Sequence, residues 1–380
     1  MITSSPAVRR TSAVGLVLAA CLGTVPTAAA APAPTMSKSE ARLDHYYDQR
    51  LGWGSCAKSS GDTMGRDLDK AGVQCADVTV PLDYADPRGR TITVAISRLK
   101  ATDTRHRIGS ILLNNGGPGG TALESPPEFH AWMKKVGPRY DIVGFDPRFV
   151  GRSTPLDCGL PVGTNLFSAG HSRAGFERQV ALQKDLADKC RATNASVLPH
   201  VTTRNTARDM DVIRGALDEK KISYFGYSYG TYLGTVYTQM FLQSAVICGN
   251  VAAPRDPEVY WRAIERSRAA YPRFGALANN IGPCAFWDRP REKPTQVKHD
   301  AKTLIVSATG DTRTAHKGAV ALHGLLPSSK LITLKGANRH AIYGLYENAC
   351  VDNEVNQYLA TGRLPANYRT CSKQAGLQPR

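Results

Sequence analysis

The stretch that most constrains this chain is Lys221–Leu242. Ile222-Ser-Tyr-Phe225 is a short β-prone apolar run, and Gly226-Tyr-Ser-Tyr-Gly230 follows it. Thr231–Leu242 then carries Leu233, Val236, Tyr237, Met240 and Phe241 at helical spacing. A strand, a G-x-S-x-G turn and a helix in that order hold a serine so that its hydroxyl projects from the end of a sheet. Side chains two residues either side would meet the neighbouring strand and helix, so both positions call for glycine. The helix N-terminus behind the serine aims its N–H groups at an oxyanion forming there. The motif alone is also a common structural turn; the flanking strand and helix single out Ser228 as a nucleophile.

A serine hydroxyl needs a base within hydrogen-bond reach, and the base needs an orienting carboxylate. After a nucleophile of this kind the chain order is Asp or Glu, then His, each in a loop just past a strand. Thr303–Ser307 reads as a strand with Gly310-Asp311 beyond its end. Lys330–Lys335 reads as another, followed by Gly336-Ala-Asn-Arg-His340. His299, Asp288 and Asp300 precede the first of these strands, at the wrong end of the sheet. His316 and His323 fall in or beside the expected helix Thr314–Gly324, facing solvent. Ser228, Asp311 and His340 are therefore the candidate catalytic residues. The glycine-rich Asn115–Gly120 follows the apolar run Gly109–Asn114, and an N–H from Gly116 or Gly117 can join that of Tyr229 in an oxyanion hole. A phosphate cradle is the other use of such a loop, but neither G-x-G-x-x-G nor G-K-[ST] is present.

The remaining elements set the fold class. Ser37–Tyr47 reads as a helix. Gln74–Val80 and Thr91–Ser97 alternate apolar and polar residues around Asp86-Pro-Arg-Gly89, an antiparallel hairpin suited to a sheet edge. Gly109–Asn114 and Tyr140–Phe145 are buried strands flanking a helix over Glu128–Val136. Gly175–Ala192 and Thr203–Leu217 are amphipathic helices, the second with Asp209 and Asp211 facing solvent. Ala245–Cys248 is a very short β-prone run, Glu258–Ala270 a helix, Gly275–Pro283 a loop, and Glu347–Leu359 the closing helix. Hairpin, strand, glycine-rich loop, helix and strand, then the elbow, is the order of an α/β-hydrolase fold: a mostly parallel sheet with helices on both faces.

The chain is 380 residues long, enough for one large α/β domain with an insertion. Its beginning stands apart. Arg9-Arg10, the apolar Thr11–Ala20 and Ala28–Ala31 make a secretory signal peptide over residues 1–31. Leu18-Ala-Ala-Cys21 also resembles a lipoprotein cleavage box, which leaves lipid anchoring at Cys21 as an alternative to free secretion. Later runs are too short to span a membrane. Loss of the leader leaves eight cysteines of nine, an even number that reads as disulfides in an exported chain. Sequence alone does not fix their connectivity; sequential pairing (Cys56–Cys75, Cys158–Cys190, Cys248–Cys284, Cys350–Cys371), which closes four local loops, is the expectation. C-x-x-C and H-E-x-x-H are absent, so no metal or other cofactor is expected. The net charge of +16, or +14 once Arg9 and Arg10 are removed, is scattered and interleaved with acids. That argues against nucleic acid, which wants a basic stripe with aromatics.

Taken together, Asn115-Gly-Gly-Pro-Gly119, Asp146-Pro-Arg, Gly151-Arg-Ser153, Gly226-Tyr-Ser-Tyr-Gly230, Gly310-Asp311, Ala337–Tyr343 and Cys350 through Cys371 resemble the secreted tripeptidyl aminopeptidases of actinomycetes. These belong with the prolyl aminopeptidase group of α/β-hydrolase serine peptidases, and the likeness covers most of residues 40–371. It implies a Ser228–Asp311–His340 triad, with Gly117 and Tyr229 as oxyanion donors. The implied reaction removes residues or short peptides from a free peptide N-terminus through an acyl-enzyme. The chain departs from that pattern twice. Phe149 stands where the family has glycine in D-P-R-G-x-G-R-S. In addition, only 83 positions separate Ser228 from Asp311, so the sixth strand is either shrunk to Ala245–Cys248 or absent, and most of the helical cap is missing. The family's cap helps bind the substrate's amino group. An esterase-like hydrolase with an open site, or a catalytically inactive relative, is the alternative. The expected organisation is 32–243 as the N-terminal part of the hydrolase domain, 244–283 as a cap remnant and 284–380 as its C-terminal part. A monomer acting on peptides is expected.

Overall fold

A computed structural model describes residues 43–159, 168–240, 253–272, 274–286, 295–297 and 300–373. The leader with Cys21, the start of the helix read from Ser37, the run Ala245–Cys248, Asp288 and His299 lie outside them. Helices α1 (Asp44–Tyr47) and α2 (Thr63–Lys70) precede the hairpin strands β1 (Gln74–Pro81) and β2 (Thr91–Leu99). Next come β3 (Gly109–Asn114), α3 (Ser125–Trp132), β4 (Tyr140–Phe145), α4 (Arg173–Asn194), α5 (Thr203–Ala216), β5 (Ser223–Gly226) and α6 (Tyr229–Met240). The C-terminal half holds α7 (Pro257–Arg268), α8 (Gly275–Ala278), β6 (Leu304–Ala308), α9 (His316–Leu325), β7 (Lys330–Lys335), α10 (Ala349–Thr361) and β8 (Arg369–Ser372).

Two elements shift for local reasons. α3 begins at Ser125 rather than Glu128, because Pro126 and Pro127 fit a first turn where N–H groups need no helical partner. It stops at Trp132, and a 3-10 turn over Lys134–Arg139 replaces its expected end, where Pro138 removes a donor. The segment Gly275–Pro283, expected as a loop, holds the single turn α8 and leads into a 3-10 turn at Pro283–Phe286. α2 and β8 were not legible from periodicity. α2 is started by Asp62, whose side chain accepts from Gly65 N. β8 is four residues long and exists by pairing with β7.

The described strands form two sheets, ordered β1-β2-β4-β3-β5 and β6-β7-β8. β1 pairs antiparallel with β2 from Gln74↔Arg98 to Pro81↔Thr91, and β2 is antiparallel to β4. β4, β3 and β5 run parallel, as do β6, β7 and β8. Every residue of β3 is buried, as a parallel strand covered on both faces requires. Leu112 packs on one side with Val143, Phe145, Met210, Ile213, Leu233 and Val236. Ile111 and Leu113 pack on the other with Phe129, Met133 and Val351, and with Ile332 and Leu334 of β7. The second cluster thus joins the two sheets into one core. A smaller cluster gathers Phe176 of α4, Ile264 of α7, Ala276 of α8 and Ile281.

Asp209 and Asp211 do not face solvent. Asp209 is fully buried, receiving Arg148 Nε at 2.7 Å and Nη2 at 2.6 Å, with the Tyr84 hydroxyl at 2.7 Å. Asp211 is buried against Arg214. Helical periodicity cannot reveal a cation 61 residues away that makes a buried carboxylate tolerable. Arg148 also donates to the Pro81 and Leu82 carbonyls, tying the Asp146-Pro-Arg turn to the hairpin. Disulfides join Cys56–Cys75, Cys158–Cys190 and Cys350–Cys371, the sequential pairs. Cys284 is also disulfide-bonded, and Cys248 lies outside the described residues.

Phe149 is buried in the hairpin-side cluster with φ +68. That left-handed backbone is why glycine suits the position. Phenylalanine occupies it here at a steric cost of about 1–2 kcal/mol.

Candidate active site

β3 and β5 are neighbours in register, with Asn114 opposite Gly226, so the glycine-rich loop and the serine turn leave the sheet side by side. Tyr227 N donates to the Asn114 carbonyl at 3.1 Å, and Gly230 N to the Tyr227 carbonyl at 2.6 Å. Ser228 is held between β5 and α6 with φ +53, a conformation that non-glycine residues keep only where the surroundings impose it. A Cβ on Gly226 would come within 2.6 Å of the Gly230 backbone, the crowding expected two residues either side of the serine.

The glycine-rich loop comes equally close. A Cβ on Gly116 would lie 2.4 Å from the Tyr227 carbonyl oxygen and 3.2 Å from Tyr229 N. Gly116 N is taken by Asn114 Oδ1 at 3.0 Å. Of the two glycines considered as oxyanion donors, Gly116 therefore has its N–H committed, which leaves Gly117 as the candidate. Tyr229 opens α6, and the first N–H groups of a helix have no partner inside it.

Asp311 and His340 come together from the ends of β6 and β7. His340 Nδ1 lies 2.8 Å from Asp311 Oδ2 and 3.1 Å from Oδ1. The two loops are stitched by Thr309 N to the Leu334 carbonyl at 3.1 Å and Gly310 N to the Ala337 carbonyl at 2.8 Å. Burial works to raise the Asp311 carboxyl, but bonds from Thr314, His340 and the Arg313 N–H outweigh it and hold the pKa below its ordinary value. Ala341, next to His340, has φ +62, a second strained point at the site.

Ser228 and His340 line one cavity of about 250 Å³. Phe129, Trp132, Phe225, Tyr227 and Leu345 form its apolar wall, and Glu128 adds a carboxylate. Two participants were missed from sequence. One is Thr314, whose hydroxyl donates to Asp311 Oδ2 at 2.7 Å and sits 3.2 Å from His340 Nδ1. Its signal was the Asp311-x-x-Thr314 spacing, in which Asp311 Oδ1 also accepts from Thr314 N. The other is Glu128, read only as a helix start. His316 and His323 are half-buried rather than solvent-facing: His316 Nδ1 meets Ser307 Oγ at 3.1 Å, and His323 meets Ser329 Oγ and the Tyr368 hydroxyl, each at 2.6 Å. Asp300 accepts from Ser328 N, outside the site.

Residues 109–275 match the family model of the alpha/beta hydrolase fold, and residues 271–371 match that of the TAP-like protein. Together the two matches mark an α/β-hydrolase fold with a TAP-like C-terminal segment. The chain is 29% identical to the tripeptidyl aminopeptidase of Streptomyces lividans, over 81% of this chain and 85% of that one. It is 32% identical to the serine protease Hip1 of Mycobacterium tuberculosis, over 78% of this chain and 55% of that protein. A third relative, carboxylesterase B of the same species, is 36% identical over 43% of this chain and 32% of its own length. The alignment with the Streptomyces enzyme runs to 458 positions but takes in only 81% of this chain's 380 residues, leaving about 150 positions unfilled.

Proposed function

We propose that this chain is a secreted serine exopeptidase that removes residues or short peptides from the free N-terminus of peptides through an acyl-enzyme. His340 accepts the Ser228 hydroxyl proton as the oxygen attacks the scissile carbonyl, and returns it to the leaving amine. Asp311 holds the His340 tautomer and stabilises the imidazolium. The N–H groups of Gly117 and Tyr229 receive the oxyanion. The 2.8 Å Asp311–His340 contact, with Ser228 on the same cavity, is the observation that carries this reading. The peptidase names of the Streptomyces and Mycobacterium relatives supply the substrate class.

Residues 1–31 act as the export leader, and the disulfides suit an oxidising compartment. Among the described residues no helix is long and apolar enough to cross a membrane. α7 and α8, within residues 244–283, form a small remnant of the cap. The carboxylesterase relative and the reduced cap favour an esterase as the second reading.

The test is labelling of the mature protein by a fluorophosphonate, with the modified peptide mapped by mass spectrometry, alongside hydrolysis of an N-terminally free peptide amide and of a simple ester. Labelling at Ser228 that is lost in His340→Ala, together with amide cleavage, is the expected result. Ester cleavage without amide cleavage selects the second reading. A folded protein that neither labels nor hydrolyses would sink both.

A further inference from the structure

We propose that Glu128 binds the substrate's free α-ammonium group, with the N-terminal residue itself seated in the cavity beside Ser228. The proposal rests on the exopeptidase reading and names how that site chooses its substrate. Ser125, Glu128, Phe129 and Trp132 lie on one face of α3, at helical spacings of three and four, and all four line the cavity with Ser228 and His340. Phe129, Trp132, Phe225 and Tyr227 make the wall apolar. An ammonium entering such a wall loses hydration and needs an opposing charge. Glu128 is the one carboxylate lining the cavity, it is exposed, and no hydrogen bond or ion pair occupies it among the described residues. Trp132, one turn along, can add a ring face to the same cation.

The size of the cavity limits what enters. An apolar cavity of about 150 Å³ takes a benzene ring. The 250 Å³ here is enough for one aromatic or aliphatic residue and its backbone. With the cap reduced, the amino-group recognition would come from α3 of the hydrolase core.

The test compares Phe-aminocoumarin amide, its N-acetyl and N-succinyl forms, and a tripeptidyl amide, on the full mature protein and on Glu128→Gln, Glu128→Asp and Glu128→Lys. Fluorophosphonate labelling of Ser228 is followed in each. The wild type should prefer the free amine over the acetylated form. Glu128→Gln should cut that ratio by about 10-fold or more, mainly through KM, as loss of a charge-assisted contact does. Glu128→Asp should restore part of the ratio, and Glu128→Lys should turn the preference toward the N-succinyl substrate. All variants should still label at Ser228, which reports an assembled site. An unchanged ratio in Glu128→Gln with labelling intact would overturn the proposal and leave the exopeptidase reading standing, as would cleavage of the tripeptidyl amide alone. No labelling of the wild type at Ser228 would overturn both.

Discussion

The Thr314 hydroxyl donates to Asp311 Oδ2 at 2.7 Å, and the Thr314 N–H donates to Oδ1 of the same carboxylate at 3.0 Å. The threonine therefore fixes both oxygens of the group that faces His340, and its own oxygen lies 3.2 Å from His340 Nδ1. Thr314→Val removes the hydroxyl at nearly constant volume. Its kcat is expected to fall by roughly 10-fold, the value of one hydrogen bond to a charged group, with KM little changed and Thr314→Ser close to wild type. Steady-state kinetics on an ester substrate check this, and equal kcat in Thr314→Val would remove Thr314 from the positioning of the triad.

Phe149 makes an unusual stability prediction. Removing its buried ring costs about 3–5 kcal/mol, and alanine keeps the penalty of φ +68 that glycine would release. Phe149→Gly should therefore be more stable than Phe149→Ala, by about 1 kcal/mol, with both below wild type. Urea unfolding of the three proteins measures the order, and an alanine variant above the glycine one would contradict the strain.

Asp62 links stability to acid. The N–H groups of Lys58 and Gly65, and then Arg152, hold its carboxyl at a pKa of about 2, against an ordinary 3.8. A depressed folded pKa means that between roughly pH 4 and pH 2 the unfolded chain binds more protons than the native one. The stability Asp62 contributes is complete above pH 4 and lost as the pH falls to 2. Asp62→Asn should show a flatter fall in urea midpoint across that window. A slope equal to wild type would show that Asp62 does not supply it.

Cys350–Cys371 ties the start of α10 to β8, closing a loop with a sequence separation of 21. Opening it by the double serine substitution should cost about 2–5 kcal/mol, read as a lower urea midpoint. Activity at low temperature should survive, because Asp311 and His340 are held by the β6–β7 loop contacts. Loss of activity without loss of stability would place the disulfide in the site instead.

Much of the fold and site was legible in the one-dimensional pattern. β3, β4 and β7 fall on the expected residues, because each centres on a short apolar run bounded by turn residues. Ser228, Asp311 and His340, the proposed catalytic residues, stand in the segments after β5, β6 and β7, where turn chemistry at strand ends placed them. Spacing alone does not fix disulfide connectivity; the sequential pairing is seen for Cys56–Cys75, Cys158–Cys190 and Cys350–Cys371, and Cys248 lies outside the described residues.

What only tertiary structure decided was partnership across distance. Asp209 looked like a solvated helix residue until Arg148, 61 positions away, closed on it in the core. Thr314 and Glu128 carried no motif strong enough to separate a site residue from a helix start. Phe149 could be seen to break a pattern, but only the backbone showed that it keeps glycine's left-handed geometry. Sequence by itself determined which backbone elements form and which reactive groups stand at their ends, because those depend on local period and turn chemistry. The structure decided which charges are paired, which are left free, and how much room lies beside Ser228, because those depend on atoms the chain order keeps far apart.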